Sequence, residues 1–183
     1  MRVIGGSCKK KSLKTLRGME LRPTPDRIRE AIFSIIVDEL PDSNVLDLYA
    51  GSGTLGIEAL SRGAKDAVFI ENHLEAIRVL KKNLESCQLV NRGMVIRRRV
   101  ETAIRLLGGK RKIFDLIFLD PPYEKDLVGK TLKALSSSSI LKPGSLVVVQ
   151  HSRRETIPEA LGRLVFTDQR RYGETLISFF RAN

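Results

Sequence analysis

An α/β fold, with an open and largely parallel sheet ending in one antiparallel hairpin, is what this sequence predicts, and three observations carry the prediction. From about residue 44 onward, apolar strand-like runs alternate with helical stretches. Those runs are continuous in Val, Ile, Leu and Phe, as strands covered by helices on both faces require. Near the C-terminus two such runs flank Arg170-Arg171-Tyr172-Gly173 with no room for a helix between them, so that pair must be antiparallel. A chain of 183 residues suits one domain with a proper core.

Taken in order, residues 1–40 read as a basic, hairpin-forming arm followed by a helix from Pro25 to Leu40. Thr24 is its N-cap, and Pro25 occupies its first turn, where a missing N–H costs nothing. The core spans residues 41–183. Val45 to Tyr49 is a buried strand closed by glycines, and Thr54 to Arg62 is a helix with Gly63 near its end. Ala67 to Ile70 forms the second strand and His73 to Ser86 the next helix. Met94 to Ile96 is a third, weaker strand because arginines follow at once. Phe114 to Leu119 and Leu146 to Val149 are the fourth and fifth, while Ser136 to Ser139 is a polar connection. Leu164 to Thr167 and Thr175 to Phe180 complete a seven-stranded sheet. Parallel neighbours joined through helices imply right-handed crossovers.

Charge narrows the class of partner. Thirty-two Lys and Arg against twenty-one Asp and Glu give a formal net charge of +11. The basic residues cluster at Lys9-Lys10-Lys11 with Lys14 and Arg17, and at Arg97-Arg98-Arg99, Lys110-Arg111-Lys112, Arg153-Arg154 and Arg170-Arg171. Each cluster alone is an ordinary solvated face. Their sum favours a polyanion bound through counterion release, with Lys9, Lys10, Lys11 and Lys14 as its contacts. No apolar run is long enough to cross a bilayer, and no basic amphipathic helix carries aromatic anchors, which disfavours a membrane. Residues 1–6 lack the apolar core of a secretory signal. Cys8 and Cys87 make neither a disulfide framework nor a zinc site, so the expectation is two buried thiols in a reducing cytoplasm and no metal.

Two motifs carry chemistry. Gly51-Ser52-Gly53-Thr54-Leu55-Gly56 follows the first strand and opens a helix, allowing the backbone to turn sharply and approach a ligand. Glu71 lies about twenty residues on, where the ribose hydroxyls of a nucleotide would be. That pairing alone fits NAD as well as S-adenosylmethionine. Asp47 tips the balance: a carboxylate repels a pyrophosphate but attracts a cofactor bearing an ammonium and a sulfonium. A dehydrogenase also needs a separate substrate domain, for which this chain has no length to spare. The cofactor set is therefore Asp47, Ala50, Gly51, Ser52, Gly53, Glu71 and Asn72.

The second motif is Asp120-Pro121-Pro122-Tyr123, directly after the fourth strand. Consecutive prolines fix a rigid, extended corner at the carboxyl edge of the sheet, where open α/β sheets bind ligands. Asp120 and the Pro121 carbonyl can accept the two hydrogens of an exocyclic base amine, and Pro122 stiffens the corner. Tyr123 offers a ring for the base to stack on, worth about 1–3 kcal/mol. Holding both hydrogens re-exposes the nitrogen lone pair for attack on a methyl group, and Asp120 stabilises the charge that develops there.

At these residues the chain resembles the Rossmann-like amino-methyltransferases and, more narrowly, the bacterial RsmD family. The opening Met1-Arg2-Val3-Ile4-Gly5-Gly6, the segment from Leu21 to Phe33, both motifs and Arg171-Tyr172-Gly173-Glu174-Thr175 all fit that family. The resemblance implies S-adenosylmethionine as cofactor and the N2 amine of a guanine in small-subunit (16S) ribosomal RNA as target. It implies the rRNA or the assembling small subunit as partner and a cytoplasmic location. It also places Arg22 to Arg29 across the cofactor pocket, with Thr24 and Arg29 near its methionine end. The plain alternative for Arg27 and Arg29 is an exposed helix face.

One departure stands out. Where related enzymes place Asp or Asn after the third strand to accept the adenine amine, this chain has Arg97-Arg98-Arg99-Val100-Glu101. A guanidinium only donates, so a backbone group or Glu101 must serve instead. Gln150-His151 replaces a more usual Glu, and His73 and His151 read as packing residues rather than catalysts. Three rival readings are a DNA amino-methyltransferase, a release-factor glutamine methyltransferase, and a non-catalytic RNA-binding module on the same fold.

Overall fold

Strands β1 (Asn44–Leu48) and β4 (Phe114–Leu119) lie side by side in the middle of the sheet, and the rest of the chain is arranged around them. The computed structural model describes residues 1–16, 26–122, 126–158 and 160–183. Its other strands are β2 (Asp66–Glu71), β3 (Gly93–Arg97), β5 (Leu141–Ser152), β6 (Ala160–Leu161), β7 (Leu164–Tyr172) and β8 (Thr175–Ala182). The sheet order is β3-β2-β1-β4-β5-β8-β7-β6. The first five strands are parallel, and β6, β7 and β8 run antiparallel to their neighbours.

The expected seven strands become eight among the described residues. The addition is the two-residue β6, which turns back through Gly162 (φ 56°) to pair with Leu164 and Val165 at the far edge. So short a strand carries no readable pattern. The fifth strand is also longer than its apolar run, because the antiparallel partner β8 pairs with it from Leu146 through Ser152.

The helices are α1 (Asp26–Ile35), α2 (Thr54–Ser61), α3 (Leu74–Ser86), α4 (Val100–Gly109) and α5 (Leu127–Ser136). Strand residues alternate between the two faces, as the twofold strand period dictates. Val45, Phe69, Phe118 and Val148 pack beneath α1, α2 and α3. Leu46, Ile70, Leu119 and Val149 pack beneath α4 and α5. The first helix stops short of the expected Leu40: α1 ends at Ile35 and a 3₁₀ turn covers Val37–Glu39. Three successive β-branched residues, Ile35, Ile36 and Val37, and the acidic Asp38 and Glu39 at a helix C-terminus both oppose continuation. Thr24 and Pro25, expected at its start, lie outside the described residues.

The arm is part of the core rather than a loose tail. Val3 and Lys11 pair across it, through Val3 N–H to the Lys11 carbonyl at 2.9 Å, with an isolated bridge between Arg2 and Ser12. Val3, Cys8 and Leu13 are buried under the same apolar cluster as α1 to α3. A Cβ on Gly6 (φ 72°) would lie 1.8 Å from the Ser61 carbonyl, so the arm touches the end of α2 backbone to backbone.

Candidate active site

The site begins where β1 ends. Tyr49, Gly51 and Gly53 all have left-handed backbone, with φ of 60°, 55° and 82°. The turn is closed by Ala50 N–H to the Ile70 carbonyl at 3.0 Å and by Gly53 N–H to the Ala50 carbonyl at 2.7 Å. Glycine is required at 53 twice over, since a Cβ there would also stand 2.1 Å from a Leu80 methyl. No side chain caps α2 at Gly53. Asp47 does that work from the strand: its Oδ2 accepts the Gly56 N–H at 2.9 Å. Asp47 is thus buried under the turn. Burial raises its pKa to about 7; the Gly56 N–H opposes the rise, and the charges of Asp120 and Glu71 add to it.

Glu71 ties the turn to the next strand. Its Oε2 accepts Gly51 N–H at 2.8 Å, and its Oε1 accepts the Asn72 and His73 N–H groups, each at 2.8 Å. Two carboxylate oxygens offer about four lone-pair sites. One therefore remains on Oε2, available to a hydroxyl. Glu71 and Asn72 line a cavity of about 340 Å³ with Tyr49, Ile70, Arg98, Arg99, Val100, Glu101 and Leu127. That volume lies within the range of small-molecule sites.

The double-proline corner leaves the sheet beside this turn. Leu48 pairs with Leu119, so Tyr49-Ala50-Gly51 and Asp120-Pro121-Pro122 depart from adjacent strand ends. Here the strand order reverses, with β2 and β3 on one side and β5 on the other; ligands bind at such a switch point. Pro121 is buried, and Asp120 and Pro122 are half-buried. The chain returning from the corner contributes Leu127 to the cavity wall. Tyr123 lies outside the described residues, as does Thr24.

Arg29 stands on α1, outside the wall of this one cavity. It is completely buried, which corrects the exposed-face alternative, whereas Arg27 is exposed. Its guanidinium donates to Asp26 Oδ1 and to the Arg2 carbonyl, each at 2.7 Å, and stands 3.9 Å from Glu58 Oε2. Glu58, equally buried, accepts Ile4 N–H at 2.8 Å, Gly5 N–H at 2.7 Å and Arg62 Nε at 2.7 Å. Arg29 and Glu58 therefore pin the arm, α1 and α2 together, and Arg29 does not line the cavity. Lys9, Lys10, Lys11 and Lys14 are exposed, although Lys11 Nζ also donates to the Ser86 carbonyl at 2.7 Å. His151 is buried against Ser178, with Nε2 2.8 Å from Oγ, and burial lowers its pKa. His73 is exposed.

Residues 1–181 match the family model described as Conserved hypothetical protein 95. The chain is 33% identical over 158 residues to the ribosomal RNA small subunit methyltransferase D of Escherichia coli (strain K12), which covers 86% of this chain and 78% of that one. It is 33% identical over 150 residues to the protein of the same name from Haemophilus influenzae, covering 82% and 78%. The chain belongs to the RsmD family.

Solved structures agree with that placement. The Thermus thermophilus protein TTHA0928 superposes with a TM-score of 0.85 at 31% identity, over 98% of each chain. The Escherichia coli protein yhhF gives 0.86 at 28% identity, over 100% of this chain and 98% of that one. Arg98 and Arg99 form a cationic wall of this cavity. Tyr49 and Leu127 were not legible as site residues. Tyr49 reads as a strand residue until its φ is known, and its hydroxyl is held 2.9 Å from Thr131 Oγ1 in α5.

Proposed function

We propose that this RsmD family chain transfers a methyl group from S-adenosylmethionine to the exocyclic N2 amine of a guanine in small-subunit ribosomal RNA. The observation that carries the reading is the pairing of Leu48 with Leu119, which sets the glycine turn and the Asp120-Pro121-Pro122 corner at one edge of the sheet. The relatives named for small-subunit rRNA methylation supply the substrate class. The cavity suits the cofactor on its own terms. It has the volume of a small-molecule site and an oxygen of Glu71 with a lone pair left for a hydroxyl, and Asp47, buried under the adjoining turn, lies within electrostatic reach of Glu71. Val100 and Glu101 line the same cavity, so a backbone group or the Glu101 carboxylate reads the adenine in place of the missing Asp or Asn.

When bound, the cofactor supplies the methyl as part of a sulfonium. The chain's own residues prepare the amine. Asp120 and the Pro121 carbonyl accept its two hydrogens, Pro122 keeps the corner stiff, and Tyr123 stacks on the base. Asp120 also offsets the positive charge that grows on nitrogen. The arm lysines hold phosphates, and the substrate is rRNA or the assembling small subunit in the cytoplasm. Incubation with labelled cofactor and, separately, rRNA, assembled small subunits and duplex DNA tests the assignment. Label in rRNA or subunits supports it; label in DNA alone replaces it with a DNA amino-methyltransferase.

A further inference from the structure

Asn83 interrupts the apolar stripe of α3, on the same face as Leu80 and Leu84, and is 1% exposed. A polar group so placed needs interior partners. Asn83 has three, drawn from two separate segments. Its Oδ1 accepts Lys14 N–H at 2.8 Å, while Nδ2 donates to the Lys14 carbonyl at 3.0 Å and to the Ser52 carbonyl at 2.9 Å. The pair on Lys14 copies the two-bond exchange of an antiparallel ladder and holds the arm at one position. The third bond grips the glycine turn between Gly51 and Gly53. Because the carboxamide is planar and rigid, a displacement of the Ser52 carbonyl is passed to the Lys14 backbone. Leu13, next to Lys14, is buried in the core, and Lys11 is held by the Ser86 carbonyl one turn further along α3.

We propose that Asn83 is a positioning residue that couples the cofactor turn to the basic arm, so that cofactor and RNA strengthen each other's binding. The inference rests on the function proposed above. A cofactor seated on the turn restrains the Ser52 carbonyl, and through Asn83 it restrains the Lys14 backbone at the same position. RNA then meets an exposed Lys14 whose residual motion has already been reduced. Linkage makes the effect reciprocal.

The test measures Kd for a small-subunit rRNA transcript with and without S-adenosylhomocysteine, in the wild-type chain and in Asn83→Ala. Amide exchange at Lys14 is followed in the wild type alone. We expect the cofactor product to tighten RNA binding about fivefold or more in the wild type, and by less than about twofold in Asn83→Ala. We also expect Lys14 N–H exchange to slow when the product binds. Persistence of the wild-type ratio in Asn83→Ala, or Lys14 exchange indifferent to the product, overturns the inference. If Asn83→Ala does not fold, the wild-type exchange decides alone. A wild type that binds and methylates rRNA without coupling removes only this inference; one that binds neither ligand removes the proposed function as well.

Discussion

Asp47 and Asp120 stand near the ends of neighbouring strands with their carboxylates in electrostatic contact. Burial above all, and then repulsion from Asp120 and Glu71, lifts Asp47 to about 7 against the pull of the Gly56 N–H. A cation bound at this edge favours the ionised form, so binding must release a proton when the solution is more acidic than that value. S-adenosylhomocysteine, which lacks the sulfonium but keeps the ammonium, is therefore expected to bind about tenfold more tightly at pH 8 than at pH 6. Calorimetry across that range, in buffers of differing ionisation heat, reads both the affinity and the proton. The folded chain alone runs the other way. A carboxyl raised from 3.8 to about 7 keeps its proton longer in the native state, so its contribution to stability declines as pH rises through that window.

Asp120→Ala is expected to abolish transfer while leaving cofactor affinity within about threefold, a difference under ~1 kcal/mol. Single-turnover assays and calorimetry on the same preparation separate the two quantities. Full activity in the variant would reject the role given to this carboxylate.

Glu58 and Arg29 are both completely buried, 3.9 Å apart. Removing Glu58 leaves Arg29 with Asp26 as its remaining ionic partner and strips Ile4 N–H, Gly5 N–H and Arg62 of their buried acceptor. Glu58→Ala is expected to lower stability by about 3–5 kcal/mol, measured by urea unfolding. The loss should be accompanied by exchange of the Ile4 and Gly5 amides, which lose their acceptor. A change below about 1 kcal/mol would show that the pair does not hold the arm.

Lys9 and Lys10 are exposed in the turn of the arm, where Lys10 has φ 73°. Replacing both by Ala is expected to reduce the slope of log affinity against log salt by about 1.4, at about 0.7 per contact on single-stranded RNA. Filter binding to an rRNA transcript over a salt series measures it. An unchanged slope would take these two lysines out of the footprint.

The strands and both motifs were legible because each rests on local chemistry: continuous apolar runs, paired glycines, paired prolines. The joints between segments were not. Arg29 sits on the apolar stripe of α1 with Ile28, Ile32 and Phe33, and Glu58 lies in a helix buried at Leu55, Ile57, Ala59 and Leu60. Each is a charge out of place in its own helix, which was the available signal. Only the fold shows that the two misplacements answer one another. Asn83 carries the same mark in α3, and its partners are far away in sequence at Lys14 and Ser52. Asp47 was read as a ligand for a cation; that it also caps α2 through Gly56 depends on how β1 meets that helix. The early end of α1 reflects a local penalty, the Ile35-Ile36-Val37 run, that the apolar periodicity conceals.

Nucleoside mass mapping of small-subunit rRNA from cells lacking this protein, then supplied with the wild type or with Asp120→Ala, tests the central claim most directly. The account predicts one additional N2-methylguanine with the wild type and none with the variant. A methyl group on another atom or another nucleic acid, or the same N2-methylguanine formed by Asp120→Ala, would contradict it.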